Sequence, residues 1–185
     1  MKAIDKLTAA TAGLLFSVAL CAGAAPAAQA EEKLNVQSTA FAGGAMIPAK
    51  FSGDGKDLSP ELSWSKVPAQ TKSIAVTCTD PDAPGGVWWH WIVFNLPPTT
   101  TQLAEGQSKA GTLASGACQG NNDFDKTGYN GPAPPRGAVH HYHFTVLALD
   151  SKLALKPGCS KAELTAALTG HILARGEHVG TYVRR

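Results

Sequence analysis

Two carboxylates and a histidine stand close together in the first segment of the chain that could carry chemistry. Asp80 and Asp82 flank Pro81, and His90 follows a few residues later. Pro81 and Pro84 fix the backbone φ angle at two points, so the turn that holds the carboxylates is stiff. A carboxylate that accepts a hydrogen bond from one ring nitrogen of His90 would set the tautomer and leave the other nitrogen for a ligand. The simpler interpretation is that the aspartates only bond turn amides and that His90 is a core residue.

The second such segment is a proline-rich loop that ends in histidines. The loop at 131–137 (GPAPPRG) leads into the run HHYH at 140–143. On a strand, His140 and Tyr142 would share one face, whereas the other two histidines of the run would point to the opposite face. The two segments together hold four of the six histidines in the chain. Two stiff loops that each deliver a histidine to a strand favour a shared pocket.

Three kinds of chemistry suit this set of side chains. Imidazoles, a tyrosine hydroxyl and loop amides donate hydrogen bonds to an anion such as phosphate or sulfate, and carboxylates behind the rings would favour their protonated form. The same groups could ligate a divalent metal or act as an acid–base pair in hydrolysis. The sequence lacks the G-x-S-x-G, H-E-x-x-H and phosphate-loop patterns, so no nucleophile or metal centre is named. Anion binding is therefore the leading hypothesis, and a hydrolase is the alternative.

Most of the secondary-structure elements predicted to position these residues are β-strands. Alternating or β-branched runs predict strong strands at 72–80, 88–95 and 139–149 and weaker ones at 33–38 and 62–66. The segment Ser115–Gly137 is rich in glycine, proline and asparagine and is predicted to be loop. A loop of that length in a compact domain is usually functional.

One helix is predicted near the C-terminal end of the sequence. Ser160 and Glu163 have the spacing of a capping box. Apolar residues follow at helical spacing as far as Ile172, and Gly176 is the predicted stop. Many short strands and one late helix predict a mainly β fold, an antiparallel sandwich with the helix packed at an edge.

The first 30 residues have the pattern of a cleaved secretory signal peptide. A lysine-bearing start is followed by a short apolar core and by Ala28-Gln29-Ala30, a small-x-small cleavage site. Removing them from the 185 residues leaves 155, enough for one domain at 31–185, and lowers the net charge from +2 to +1. We therefore expect an exported protein, periplasmic or secreted. Near-neutral charge without a basic run excludes nucleic acid as an expected partner. No cofactor is expected, and a homodimer is possible.

Three cysteines remain after residue 30, and export would place them where disulfides persist. Cys78 lies within a predicted strand and is expected to be a buried thiol. Cys118 and Cys159 lie in polar, glycine-bearing segments and are the preferred pair if a disulfide forms. Three unpaired thiols are the alternative.

Taken together, the two segments resemble the phosphatidylethanolamine-binding protein family, and within it the bacterial Raf-kinase-inhibitor-like branch. The resemblance extends over most of the chain after residue 30. It rests on DPDAPGG at 80–86, WWHW at 88–91, GPAPPRG at 131–137 and HHYHF at 140–144, with LSPELSW at 58–64 and GTYVR at 180–184 as its outer limits.

This resemblance implies a Greek-key β-sandwich with a small cavity at one end. In this family the cavity binds phosphate-like anions and phospholipid head groups. The resemblance therefore implies a small-molecule binding protein. The ligand-binding residues that it implies are Asp80, Asp82, His90, Pro135, His140 and Tyr142.

Two further details follow from the resemblance. The Ala83–Pro84 peptide bond would be cis. His141 stands where many members have arginine, and the loss of that permanent charge would weaken anion binding at neutral pH.

Overall fold

The computed structural model describes residues 32–185, and the predicted signal segment at 1–30 lies outside the described residues. The described chain folds into strands with one α-helix and a short 3₁₀ turn at Ala49–Phe51. In chain order these elements are β1 (Glu32–Lys33), β2 (Asn35–Gln37), β3 (Leu62–Ser65), β4 (Ser73–Asp80), β5 (Trp88–Leu96), β6 (Gln102–Leu103), β7 (Cys118–Gln119), β8 (Val139–Leu149), α1 (Lys161–Leu168) and β9 (Ile172–Val183).

The strands form two sheets of unequal size. The larger sheet has the order β1-β9-β8-β4-β5-β7, and the smaller has the order β2-β3-β6. Every strand pairing is antiparallel except that of β1 with β9, which is parallel. The structure therefore confirms the predicted mainly β fold with one helix, although its larger sheet is mixed.

The main core lies between the two sheets. Trp64 and Leu62 of the smaller sheet belong to the same buried cluster as Trp91, Phe144 and Val146 of the larger one. Residues of the strands alternate between this core and the opposite face, as a half-buried strand requires. A sandwich-like packing of two sheets follows from this shared cluster.

Helix α1 covers the outer face of the larger sheet. Leu164 and Leu168 are its buried residues, and they pack in a second apolar cluster with Ile92 and Phe94 of β5 and Leu147 of β8. The predicted capping box is confirmed, because Ser160 accepts from the Glu163 N–H and the Glu163 side chain accepts from the Ser160 N–H.

The predicted extension of this helix to Gly176 is wrong. The helix ends at Leu168 because Gly170 adopts a φ of 79°, a left-handed conformation that stops helices. The following residues form the long strand β9, in which buried and more exposed positions alternate. A Cβ at Gly176 would lie 2.5 Å from the Leu34 carbonyl oxygen, so the glycine serves close backbone packing instead of a helix stop.

The remaining expectations concern cysteines and membrane-spanning segments. Cys78 is fully buried, as predicted, and burial raises the pKa of its thiol. Cys118 and Cys159 are both free thiols and pack in the same outer cluster. None of the helices within residues 32–185 has the length and apolar character needed to cross a membrane.

Candidate functional site

A bulge in β5 aims His90 into the core-facing side of the larger sheet. Cys78 of β4 pairs with Trp91 of β5. The next pair is Thr79 with Trp89, which leaves His90 as an extra, unpaired residue. Bulges of this kind redirect a side chain and are frequent beside functional sites. The His90 ring is 3% exposed and therefore lies within the protein.

The tautomer of His90 is fixed by a backbone carbonyl. Its Nδ1 lies 2.6 Å from the carbonyl oxygen of Asn130, and because a carbonyl only accepts, Nδ1 must carry the proton. The ring packs edge-on against Phe124 on one side and Tyr142 on the other. Burial lowers the pKa of His90, against the opposing effects of the Asn130 carbonyl and the Asp80 carboxylate. The sequence predicted that a carboxylate accepts the hydrogen bond from His90, but in the structure the Asn130 carbonyl accepts it.

Asp80 instead supports His140. The Asp80 Oδ2 accepts from Nδ1 of His140 at 2.7 Å, and both side chains are buried. The other oxygen, Oδ1, accepts from the Asp82 backbone N–H at 2.9 Å. Both carboxylate oxygens therefore have partners, which is what a buried charge requires.

Tyr142 follows His140 on the same face of β8 and carries an unpartnered hydroxyl. The side chain is fully buried, and its Oη lies near the Asp80 carboxylate without forming a hydrogen bond of good geometry within the described chain. Burial and the nearby Asp80 carboxylate raise the pKa of Tyr142 well above its ordinary value, so the hydroxyl stays protonated. Asp80, His90, His140 and Tyr142 are called the inner cluster below.

Two residues that the sequence assigned to the site lie outside the inner cluster. Asp82 is exposed and lies in the turn after β4, where its Oδ2 accepts from both the backbone N–H and Nδ1 of His141 at 2.8 Å. Pro135 is exposed, whereas Pro134 of the same loop is buried. The Ala83–Pro84 bond is trans, so the implied cis bond is wrong.

A network of amide side chains that the sequence analysis did not identify holds the loop around His90. The Asn122 amide nitrogen donates to the His90 carbonyl at 3.3 Å, to the Gly128 carbonyl at 2.9 Å and to the Asn130 side chain at 2.9 Å. Asp57 accepts from the Gly131 N–H at 2.6 Å and thereby holds the following residues of the loop. The length of the loop at 115–137 was the only sequence signal that pointed to this support.

The electrostatic character of the inner cluster comes from one carboxylate and two imidazoles. No group of three or more histidine, cysteine or acidic side chains within residues 32–185 is arranged to hold a metal ion. His90 and His140 each use Nδ1 within the protein, and the hydrogen bonds of the described chain leave Nε2 of each ring unused. The cluster can therefore offer two ring nitrogens and one hydroxyl to a small ligand.

Comparisons with known proteins agree with this fold and this arrangement of motifs. Residues 37–183 match the family model described as phosphatidylethanolamine-binding protein. The UPF0098 protein of Methanothermobacter thermautotrophicus is 46% identical over 151 residues, which covers 82% of this chain and 99% of the relative. The UPF0098 protein YbhB of Escherichia coli is 48% identical over 124 residues, which covers 65% and 78%. The chain belongs to the phosphatidylethanolamine-binding protein family, and the resemblance to its bacterial branch is confirmed.

Solved structures give the same result. Escherichia coli YbcL, described as a new member of the mammalian family, superposes with a TM-score of 0.78 at 38% identity, covering 83% of this chain and 99% of YbcL. The homologue CT736 of Chlamydia trachomatis gives a TM-score of 0.75 at 40% identity, covering 84% and 100%. These likenesses confirm the fold class that the sequence predicted.

Proposed function

We propose that this protein binds a phosphate-bearing small molecule or a phospholipid head group in the inner cluster without turning it over. The observation that carries the proposal is the buried Tyr142 hydroxyl, which lies near the Asp80 carboxylate but makes no hydrogen bond of good geometry in the described chain. An unsatisfied buried polar group costs free energy, so native proteins keep one where a ligand or water completes it. The family name, which records phosphatidylethanolamine binding, points in the same direction.

The neighbours of Tyr142 support an anionic group of small size. The His90 and Tyr142 ring centroids lie 5.2 Å apart, and His140 stands two residues from Tyr142 on the same strand face. The proposal places a single tetrahedral oxyanion beside the polar atoms of these three side chains. Trp88, which is exposed and contacts Phe124, could pack against an attached organic group. The proposal includes export through the segment at 1–30, so that binding occurs in the periplasm or outside the cell.

Calorimetric titration at pH 6 and pH 8 tests this proposal. The probes are phosphoethanolamine and glycerophosphoethanolamine, which represent a small phosphate ester and a lipid head group. Binding should be tighter at pH 6, because an imidazole that takes up a proton adds positive charge next to the anion. The His140→Ala variant should lose about 1–3 kcal/mol of binding free energy, the value of a hydrogen bond to a charged group.

The matched control is His141→Ala, which removes the neighbouring histidine from the opposite face of the sheet. Its affinity should stay close to that of the wild type. Absence of binding to both probes at either pH would refute the proposal.

The buried Asp80–His140 pair is the one observation that favours the alternative, a hydrolase. Such a pair can transfer a proton in acid–base catalysis. However, neither His140 nor His90 is hydrogen-bonded to a serine, threonine or cysteine side chain within residues 32–185. Turnover of chromogenic phosphate or carboxylate esters, abolished by His90→Ala, would establish this alternative.

A further inference from the structure

The peptide group between Asn130 and Gly131 is hydrogen-bonded at both ends. Its carbonyl oxygen accepts from Nδ1 of His90 at 2.6 Å, and its N–H donates to Oδ1 of Asp57, also at 2.6 Å. In a trans peptide the N–H and the C=O point in opposite directions, so the carboxylate and the imidazole lie on opposite sides of one planar group. Asp57, the peptide group and His90 therefore form a continuous hydrogen-bonded chain.

This chain can transmit the effect of a charge because a peptide group is polarisable. Resonance gives the C–N bond partial double-bond character, so an anion that accepts from the N–H increases the negative charge on the carbonyl oxygen of the same group. Hydrogen bonds in series strengthen one another in this way. A more negative oxygen at Asn130 binds the Nδ1–H of His90 more strongly. Burial lowers the pKa of His90, and the hydrogen bonds to the backbone of Asn130 and Gly131 oppose that effect.

The backbone and the neighbours of Asp57 hold its carboxylate in this position. Its φ is 55°, in the left-handed region that few residues other than glycine adopt but that aspartate and asparagine tolerate. The second carboxylate oxygen, Oδ2, accepts from Nζ of Lys109 and from the side-chain nitrogen of Asn130. These two donors fix the carboxylate and leave Oδ1 for the Gly131 N–H.

We propose that Asp57 is a positioning residue for His90 and acts on it through the Asn130–Gly131 peptide group. Its negative charge strengthens the bond that holds the His90 proton on Nδ1, and it thereby keeps Nε2 unprotonated. The sequence predicts a carboxylate behind His90, and in the structure this carboxylate comes from Asp57, one peptide group away. This inference rests on the proposed function for the use of the site, but its test needs no ligand.

Two other carboxylates act on His90, and each of them is bonded to a different partner. Asp80 on β4 accepts from Nδ1 of His140, and Asp123 in the loop forms an ion pair with Lys161 of helix α1. The route proposed here differs from theirs, because it runs through hydrogen bonds to the ring itself.

The variant Asp57→Asn separates the charge of the side chain from its shape. Asparagine tolerates the same backbone conformation and can still accept from the Gly131 N–H through its amide oxygen, but it carries no charge. Long-range ¹⁵N–¹H correlation spectra of the ligand-free protein report on the His90 ring. Its Nδ1–H should exchange with solvent about twofold to tenfold faster than in the wild type, the effect of weakening a buried hydrogen bond by about 10–30%. A purely structural role of Asp57 would leave this rate unchanged.

The variant Lys109→Met should produce the opposite change. Lys109 is exposed and neutralises part of the Asp57 charge, so its removal should strengthen the chain of bonds and slow the exchange of the His90 Nδ1–H. Because Lys109 lies at the surface, this measurement does not depend on the folding of an Asp57 variant. The matched control is Asp125→Asn, which removes one exposed carboxylate from the loop that contains Asn130 and should leave the rate unchanged.

Equal exchange rates of the His90 ring in the wild type and in Asp57→Asn would overturn this inference. An equally large acceleration in Asp125→Asn would also overturn it, since the charge would then act through space, and so would faster exchange in Lys109→Met. Titration with phosphoethanolamine decides the proposed function separately, because the ring is measured without ligand. If the ring changes as expected but no ligand binds, the proposed function fails and the role of Asp57 stands.

Discussion

Two aspartate–histidine pairs lie where β4 ends and β8 begins, namely Asp80 with His140 and Asp82 with His141. Their bonds are alike, since Nδ1 lies 2.7 Å from the carboxylate oxygen in the first pair and 2.8 Å in the second. Their surroundings differ. In the first pair His140 is 6% and Asp80 is 4% exposed, whereas in the second His141 is 51% and Asp82 is 41% exposed.

This contrast shows that the pairing itself does not make the site. The alternation of β8 sends His140 into the protein and His141 out of it. Within residues 32–185, the inner pair is the one that packs beside the buried Tyr142 hydroxyl and the His90 ring. The outer pair is surrounded by water, which satisfies both groups and screens their attraction.

The largest difference between the pairs should appear in stability. Asp80→Ala leaves the buried His140 Nδ1–H and the partly buried Asp82 N–H without their acceptor. The free energy of unfolding should therefore fall by about 2–4 kcal/mol. Asp82→Ala should cost less than about 1 kcal/mol, the range of exposed pairs. Urea denaturation of both variants measures the two values. Equal losses would mean that burial does not distinguish the pairs.

A second comparison separates the stability of the inner pair from its use in binding. An asparagine in place of His140 can still donate to Asp80, so His140→Asn should recover about 1 kcal/mol of unfolding free energy relative to His140→Ala. Its affinity for inorganic phosphate should stay as low as that of the alanine variant, because both lack Nε2. At position 141 the asparagine and alanine variants should agree within about 0.5 kcal/mol. Recovery of binding by His140→Asn would contradict the assigned role of Nε2.

Restoring the family's arginine at position 141 should have only a small effect on binding. Because His141 faces the opposite side of the sheet and bonds to exposed Asp82, a charge there is separated from the inner cluster and screened by solvent. We expect His141→Arg to change the dissociation constant for phosphate less than about twofold. His143→Arg, the next outward-facing histidine, is the control. A tenfold gain specific to position 141 would show that the outer pair contributes to binding.

The smallest expected effect is on how the free energy of unfolding changes at acidic pH. The hydrogen bonds from His141 lower the pKa of Asp82 in the folded protein. A lowered folded-state pKa stabilises the protein above the unfolded value of about 3.9, and this contribution is lost as the pH falls through the folded-state pKa. Carboxyl ¹³C titration should show the Asp82 pKa rising in His141→Ala. That variant should also lose less stability than the wild type on acidification below about pH 4.

The sequence was sufficient to predict most of the strands, and the four residues that the structure brings together in the inner cluster all belong to its two candidate segments. The strands at 72–80, 88–95 and 139–149 agree with the structure within one residue at each end, because their periodicity is strong. His140 and Tyr142 could be placed on one face by alternation alone. Asp80 and His90 could be predicted to lie near each other because a strand ends at Asp80 and another begins shortly before His90.

The incorrect predictions have physical reasons. Apolar residues up to Ile172 fit a helical period, but Gly170 ends the helix and β9 follows, so a short local pattern was overridden by sheet pairing. The bulge that turns His90 inward could not be predicted, since it depends on the register between β4 and β5. Alternation also could not place Asp82, because it lies in the turn after β4. The support of His90 by Asn122 and Asn130 depends on loop contacts between residues that carry no periodic signal.

Strand β9 has a consequence for how the molecule assembles. It pairs with β8 along most of its length, and at its other edge it pairs with β1, where Glu32 stands opposite Ala174, roughly 140 residues away in sequence. Until residues 172–183 have been synthesised, β8 lacks its neighbour and the larger sheet has an open edge. Folds that depend on such distant pairings form slowly, in about milliseconds to seconds. We therefore expect folding of this chain to be completed only after β9 has docked.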